Sequence, residues 1–188
     1  MMQPIKAERA TVKFFEGLTV DGYRMPNGEF RVGLEGASIV IGYSKQWLSQ
    51  VLNSRPRTLK ALTGLGFTAS QMKVQVGREG KRGISEAETI CLRDFNRIIL
   101  YAASKGKKAA IALQLSLTEV ALNDFFVDAF GEPPLTISQK RELFYRTYAA
   151  SISPEDWRNM DREEIIKLAL PGDEPHLKNG LWNEKSED

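Results

Sequence analysis

The chain has 188 residues, with 26 Lys+Arg against 24 Asp+Glu, one His, one Cys and 42% hydrophobic residues. This is globular composition, enough for one comfortable core or two small ones. A lone Cys91 excludes a disulfide framework, and one His with one Cys cannot build a zinc site; His176, in a polar C-terminal stretch, all but excludes a His-based triad.

The net charge of +2 hides an asymmetry. Residues 1–110 hold 18 Lys+Arg and 9 Asp+Glu (+9), whereas residues 111–188 hold 8 and 15 (−7). A basic front and an acidic back suggest that the front half meets a polyanion. No apolar run approaches the roughly 20 residues of a membrane span, and residues 1–11 mix charges where a signal peptide would be apolar. The expectation is a soluble cytoplasmic protein with no membrane partner, nucleoid-associated if the polyanion is DNA.

In chain order, residues 1–10 are polar and expected to fray. Thr11–Val32 is strand-like, with Asn27-Gly28 expected to supply the two positive-φ residues of a tight hairpin turn. Gly33–Ile41 has helical spacing and breaks at Gly42. Ser44 is expected to cap a second helix, in which Trp47, Leu48, Val51 and Leu52 repeat until Asn53 and Pro56. Trp47, beside Leu48, reads as core. Thr58–Leu65 reads as a short helix, and Gln71–Val76 and Thr89–Leu92 as paired strands flanking a Gly77–Gly83 loop. Three amphipathic helices follow: Arg93–Ser104, Lys108–Phe130 (apolar at Ala109, Leu113, Leu117, Phe125 and Phe130, among others) and Ser138–Ser151. A further helix is expected over Glu155–Leu170, with Pro154 at its start and acids in its first turn. Pro171–Asp188 is a polar tail.

The sharpest local signal runs from Ala37 to Leu52. A helix-turn-helix needs a small residue where its helices cross, a glycine to turn the chain and apolar anchors on the second helix. Ser38, Gly42, Leu48 and Val51 fill those places. The outward residues of the second helix are then Lys45, Gln46, Ser49, Gln50 and Asn53. Gln and Asn can pair with adenine, and Lys with guanine or phosphate. Arg55, Arg57 and Lys60 follow and suit the flanking backbone. The same pattern is also that of an ordinary αα-corner with a solvated face; the basic front half favours DNA.

Arg78, Lys81 and Arg82 lie among three glycines in the Gly77–Gly83 loop. The loop lacks the spacing and the Lys-Ser/Thr ending of a P-loop, but suits a mobile wing that drops onto a phosphate backbone or into a minor groove. A solvated hairpin tip is the bland alternative. Lys105, Lys107 and Lys108 form another basic cluster, read as a solvated helix junction that favours the preceding helix dipole.

No catalytic constellation or metal site emerges. Glu86-Ala87-Glu88 has no Lys at the offset a metal-dependent nuclease uses, and Glu163, Glu164 and Lys167 fit surface pairs of a helix. Cys91 has no candidate base and reads as inert core. No cofactor is expected.

The hairpin Asn27-Gly28-Glu29-Phe30-Arg31-Val32, leading into Ala37…Ile41-Gly42-Tyr43-Ser44 and later into Leu92–Tyr101 and on to Phe130-Gly131, resembles the amino-terminal DNA-binding module of BRO-type and KilA-N-type phage antirepressors. The resemblance covers roughly 23–131, is weak over Thr58–Val76 and finds no counterpart for 132–188. It implies double-stranded DNA binding through Lys45, Gln46, Ser49 and Gln50, and an origin among viruses and mobile elements.

The sequence therefore predicts an α+β protein, with a hairpin and helix-turn-helix front domain over 1–131 and an acidic helical extension and polar tail over 132–188. Its expected role is an antirepressor-like DNA-binding regulator, not an enzyme, and a homo-oligomer through its helical half. Leu143, Phe144, Tyr148, Trp157, Ile165 and Leu168 are expected either to pack on the front domain or to line a subunit interface. The alternatives are a phage or mobile-element protein that binds and inhibits another protein, and a metal-dependent nuclease.

Overall fold

The computed structural model describes residues 5–77 and 84–152. The fold is α+β, with a six-stranded sheet and six helices among those residues. The strands are β1 (Ile5–Lys6), β2 (Glu8–Phe15), β3 (Leu18–Arg24), β4 (Phe30–Gly33), β5 (Met72–Gly77) and β6 (Ile84–Cys91). The helices are α1 (Leu34–Val40), α2 (Trp47–Ser54), α3 (Pro56–Gly64), α4 (Leu92–Ser104), α5 (Lys108–Ala129) and α6 (Ile137–Ser151).

The sheet order is β1-β5-β6-β4-β3-β2. All neighbours are antiparallel except β1 and β5. The first and last strands of that order are separated in sequence by Ala7 alone. The sheet therefore curls until its two edges become one continuous stretch of chain, and the Ala7 N–H donates to the Gln75 carbonyl at 2.9 Å. The short β1 covers part of the β5 edge that an open sheet would present. The curl also corrects the expectation for residues 5–10, which are strand rather than frayed. The cause is tertiary: Ile5 and Ala7 pack on a small cluster of Tyr23, Met25, Val74 and Val76 inside the curl, which no local pattern announces.

The turn between β3 and β4 differs from the expected one as well. Gly28 has a φ of +85°, but Asn27 does not enter the left-handed region. Pro26 occupies the first corner, where its fixed φ suits a type I turn, and Gly28 adds the bulge residue. The Gly28 N–H closes on the Met25 carbonyl at 2.9 Å, and the Asn27 carboxamide oxygen accepts from the Glu29 N–H at 3.0 Å.

The main core lies between the other sheet face and the helices. Phe15, Leu18, Val20, Val32 and Ile90 meet α1, α2, α4 and the first half of α5. Helix α6 lies past Gly131, yet it joins this same core. Phe144 stacks on Phe14 with ring centres 5.4 Å apart, Tyr148 sits 5.3 Å from Phe15, and Ile152 is buried beside them. Of the two destinations expected for Phe144 and Tyr148, packing on the front half is the observed one. The helix starts firmly because Thr136 and Gln139 exchange side-chain and backbone hydrogen bonds in a capping box. Trp157, Ile165 and Leu168, and the helix expected over Glu155–Leu170, lie outside the described residues.

The expectation for Lys108–Phe130 needs a correction. A helix forms there, but Leu117, Phe125 and Phe130 are exposed, with Phe125 and Phe130 at 74% and 78%. Fully buried positions stop at Ser116, and beyond it Val120 packs on the core only in part. By length and composition alone, α5 is also the one helix among the described residues long and apolar enough to cross a membrane, a test that a core helix of a soluble protein passes as well.

Candidate nucleic-acid interface

Helices α1 and α2 form a two-helix unit joined through Ile41–Gln46. Ser38, fully buried where the helices cross, holds it together. Its hydroxyl donates to the Leu34 carbonyl at 2.8 Å and accepts from the Leu48 N–H at 3.2 Å. One side chain thus satisfies a helix-start donor of α2 that would otherwise be orphaned in the core. Gly42 turns the chain with a φ of +83°, and the Tyr43 N–H returns to the Ser38 carbonyl at 3.1 Å. Trp47, Leu48 and Val51 are buried, as the apolar spacing requires.

The second helix begins later than the sequence suggests. Gln46, not Ser44, is the N-cap, and the serine contributes its carbonyl to the Trp47 N–H at 2.9 Å instead of a side-chain cap. Lys45 and Gln46 are therefore turn residues on the approach to α2. Ser49 and Gln50 are half-buried and Asn53 is exposed, all on the helix itself.

These polar groups have internal partners. Lys45 pairs with Glu35 at 3.1 Å, Arg55 donates to the Gln50 side-chain oxygen at 2.5 Å, and Asn53 donates back to the Ser49 carbonyl at 2.9 Å. Lys45 and Glu35 are both more than 60% exposed, so their pairing is weak and exchangeable. Arg57 is exposed in the first turn of α3, with Lys60 one turn on, and Arg55 caps that helix. Arg78, Lys81 and Arg82 lie outside the described residues.

A feature not anticipated from the sequence lies beside the turn. Tyr43 stacks face to face on Trp47, with centres 4.1 Å apart and planes 3° apart, and Trp47 continues to Tyr101 of α4 at 6.2 Å. Lys107 places its ammonium 4.6 Å from the centre of the Tyr43 ring, and Lys105 lies 5.5 Å from that of Tyr101. Both distances suit cation–π attraction. Burial pushes the Tyr43 phenol above its ordinary range, and Tyr101 adds to the shift. The α4–α5 junction is thus seated against the helix-turn-helix turn, and a Cβ on Gly42 would lie 3.7 Å from the Lys107 stem. Lys105 and Lys107 lie about 60 residues from Tyr43 and Trp47 in sequence, and the aromatic stack ties them to the turn before α2. The only hint in the sequence was the pair of motifs Gly42-Tyr43 and Lys105-Gly106-Lys107, each ordinary when taken alone.

A concavity lies elsewhere. A cleft of about 700 Å³ separates the sheet from α4 and α5, lined chiefly by apolar groups such as Val12, Phe14, Phe30, Leu92 and Phe95. No His/Cys/Asp/Glu cluster suited to a metal occurs among the described residues. Glu88 is instead 3.9 Å from Lys73 across the β5–β6 pair.

Comparison of the chain with protein-family models, with curated proteins and with solved structures finds no match.

Proposed function

We propose that the chain is a DNA-binding regulator that uses α2 and its approach turn to read a duplex. The observation that carries this reading is the Ser38-locked two-helix unit, with Lys45, Gln46, Ser49, Gln50 and Asn53 on α2 and its approach turn and Lys107 over Tyr43 of the same turn. A rigid helix with amide side chains can pair with base edges in the major groove, whereas ammonium groups at its edge hold the phosphates. Arg55 and Arg57, directly after α2, extend the phosphate-binding side. Arg78, Lys81 and Arg82 would add a basic wing.

This role is also what the resemblance to phage antirepressor modules implies. The basic front half favours it energetically, because each phosphate neutralised releases condensed counterions. The acidic residues 132–188 would be kept from the duplex by repulsion.

Titration of a labelled random duplex of about 25 base pairs, from about 50 to 200 mM salt, tests the reading. Binding that weakens linearly in log–log form, with a slope near −0.9 per neutralised phosphate, is the expected result. Absence of binding at the lowest salt would overturn it and favour an acidic protein as the partner of the same surface.

A further inference from the structure

Helix α5 has two unlike sides. One meets the core through Ala109, Ala112, Leu113 and Ser116, and then meets α6, where Asp124 pairs with Lys140 at 2.6 Å. On the opposite side, Ile111, Leu115, Thr118, Leu122, Phe125 and Ala129 follow one another at alternating spacings of four and three. That is the spacing of a seam along which one helix packs on another. It runs for about 27 Å at the usual helical rise. Leu115 and Leu122 are half exposed, and Phe125, Phe126 and Phe130 are 74%, 63% and 78% exposed.

The size of this face argues for what covers it. With roughly 200 Å² for each aromatic side chain, the three phenylalanines alone leave roughly 400 Å² of apolar surface bare. Leu115 and Leu122, each about half exposed, bring the exposed apolar area of this face to about 600 Å². A monomer rarely leaves more than that open, and a stable interface takes about 800 Å² from each partner. A seam that repeats along one straight helix is also complementary to itself, which is what a twofold dimer requires.

We infer that the outer face of α5 is a homodimer interface, in which Leu115, Leu122 and Phe125 of one copy pack on α5 of a second copy. This places the association surface within residues 108–130, ahead of the acidic extension, and it stands independently of DNA binding. A membrane is a poorer occupant, because the other side of the same helix is committed to the core and to the ion pair with α6.

Light scattering after size exclusion, on the full chain at about 50 µM, tests the inference. The expected mass is twice the 21.1 kDa of one chain. Leu122→Glu and Leu122→Lys should each give the single-chain mass with an unchanged circular dichroism spectrum, and mixing the two should restore the double mass. Thr118→Glu, at a seam position already polar, should repeat the loss if either leucine variant folds poorly. A single-chain mass for the unaltered protein would overturn the inference, whether residues 153–188 or added lipid vesicles then prove to cover the seam. A double mass that survives both Leu122→Glu and Thr118→Glu would overturn it too.

Discussion

Arg31 and Asp94, both almost wholly buried, grip the same three-residue loop. Arg31 donates to the Ser70 carbonyl, while Asp94 accepts from the Thr68 and Ser70 N–H groups at 2.8 and 3.0 Å and from the Thr68 hydroxyl at 3.0 Å. Between these contacts Ala69 has a φ of +53°, a left-handed conformation that an alanine adopts only when its surroundings insist. Arg31 is further fixed by Thr89 at 3.0 Å and Glu29 at 2.6 Å. The loop leads from α3 into β5, so this grip fastens the helical unit to the sheet.

Removing the carboxylate should be costly. Asp94→Ala removes the shared acceptor of the part-buried bonds from the Thr68 and Ser70 N–H groups and the Thr68 hydroxyl. A loss of about 1–3 kcal/mol is expected, read as a fall in denaturant midpoint without a large change of slope. Asp94→Asn keeps one acceptor oxygen and should lose less. A loss below about 0.5 kcal/mol for the alanine variant would show that the loop is not held from this side.

Tyr148 gives a pH prediction. Its hydroxyl is buried without a hydrogen-bond partner among the described residues, and burial pushes its ionisation far above the usual tyrosine range. Because the folded chain holds this proton more tightly than the unfolded chain, the contribution to stability is fully present below about pH 10. It is lost as the pH rises from there through the folded value. Tyr148→Phe should be neutral or stabilising by up to about 1 kcal/mol at pH 7, since no hydrogen bond is removed. It should also make the alkaline decline shallower, and melting curves from about pH 7 to 11 read both effects. Equal alkaline decline in the two proteins would mean that other groups govern it.

The helices were legible because each carries its own stop: Gly42 after α1, Pro56 after α2, Ser104-Lys105-Gly106 after α4 and Gly131 after α5. The strand character of Ile5–Ala10 was not, because Ile5 and Lys6 pair with Val74 and Gln75, distant in sequence, and Glu8–Ala10 pair with Gly22–Arg24. Nor was the bare side of α5. Periodicity reports which residues are apolar, but where a helix is apolar all round it cannot say which side a neighbour covers. For the candidate interface, the inward anchors Leu48 and Val51 followed from spacing alone. The lysines over Tyr43 and Tyr101 did not, because cation–π pairs between distant segments leave no local pattern.

The two sides of α2 should respond differently to truncation. Leu48 is fully buried and Gln50 is only half so. Leu48→Ala should cost roughly 2–5 kcal/mol of stability, as for other buried leucines. Gln50→Ala should stay within about 0.5 kcal/mol, yet relax base preference at one position by roughly 1–3 kcal/mol. It also frees Arg55, now bonded to the Gln50 oxygen, so binding to non-cognate duplex should not fall. The measurement is a selected duplex against a scrambled one at equal salt. Equal weakening of both, or of neither, would remove base reading from α2.

The lysines beside the turn give a prediction separate from that for the loop at 78–83. Lys105 and Lys107 are tied to the helix-turn-helix unit through Tyr101, Trp47 and Tyr43, so their ammonium groups keep a fixed position relative to α2. Replacing both with Gln removes two charges, and a cation–π pair at a partly exposed site contributes only about 0.5–1 kcal/mol, so the fold should stand. Binding to every duplex should weaken, and the salt slope should flatten by about 1.8, which is about 0.9 for each phosphate no longer neutralised. Specificity between cognate and scrambled duplexes should be unchanged, because phosphate binding carries no base information. Arg78, Lys81 and Arg82 changed together to Ala should flatten the slope by a separate increment if they act as a wing, and the two sets should then add. A salt slope left unaltered by the Lys105→Gln, Lys107→Gln double variant would place the duplex away from the α4–α5 junction. The aromatic stack would then be left with a purely structural role, seating that junction against α2.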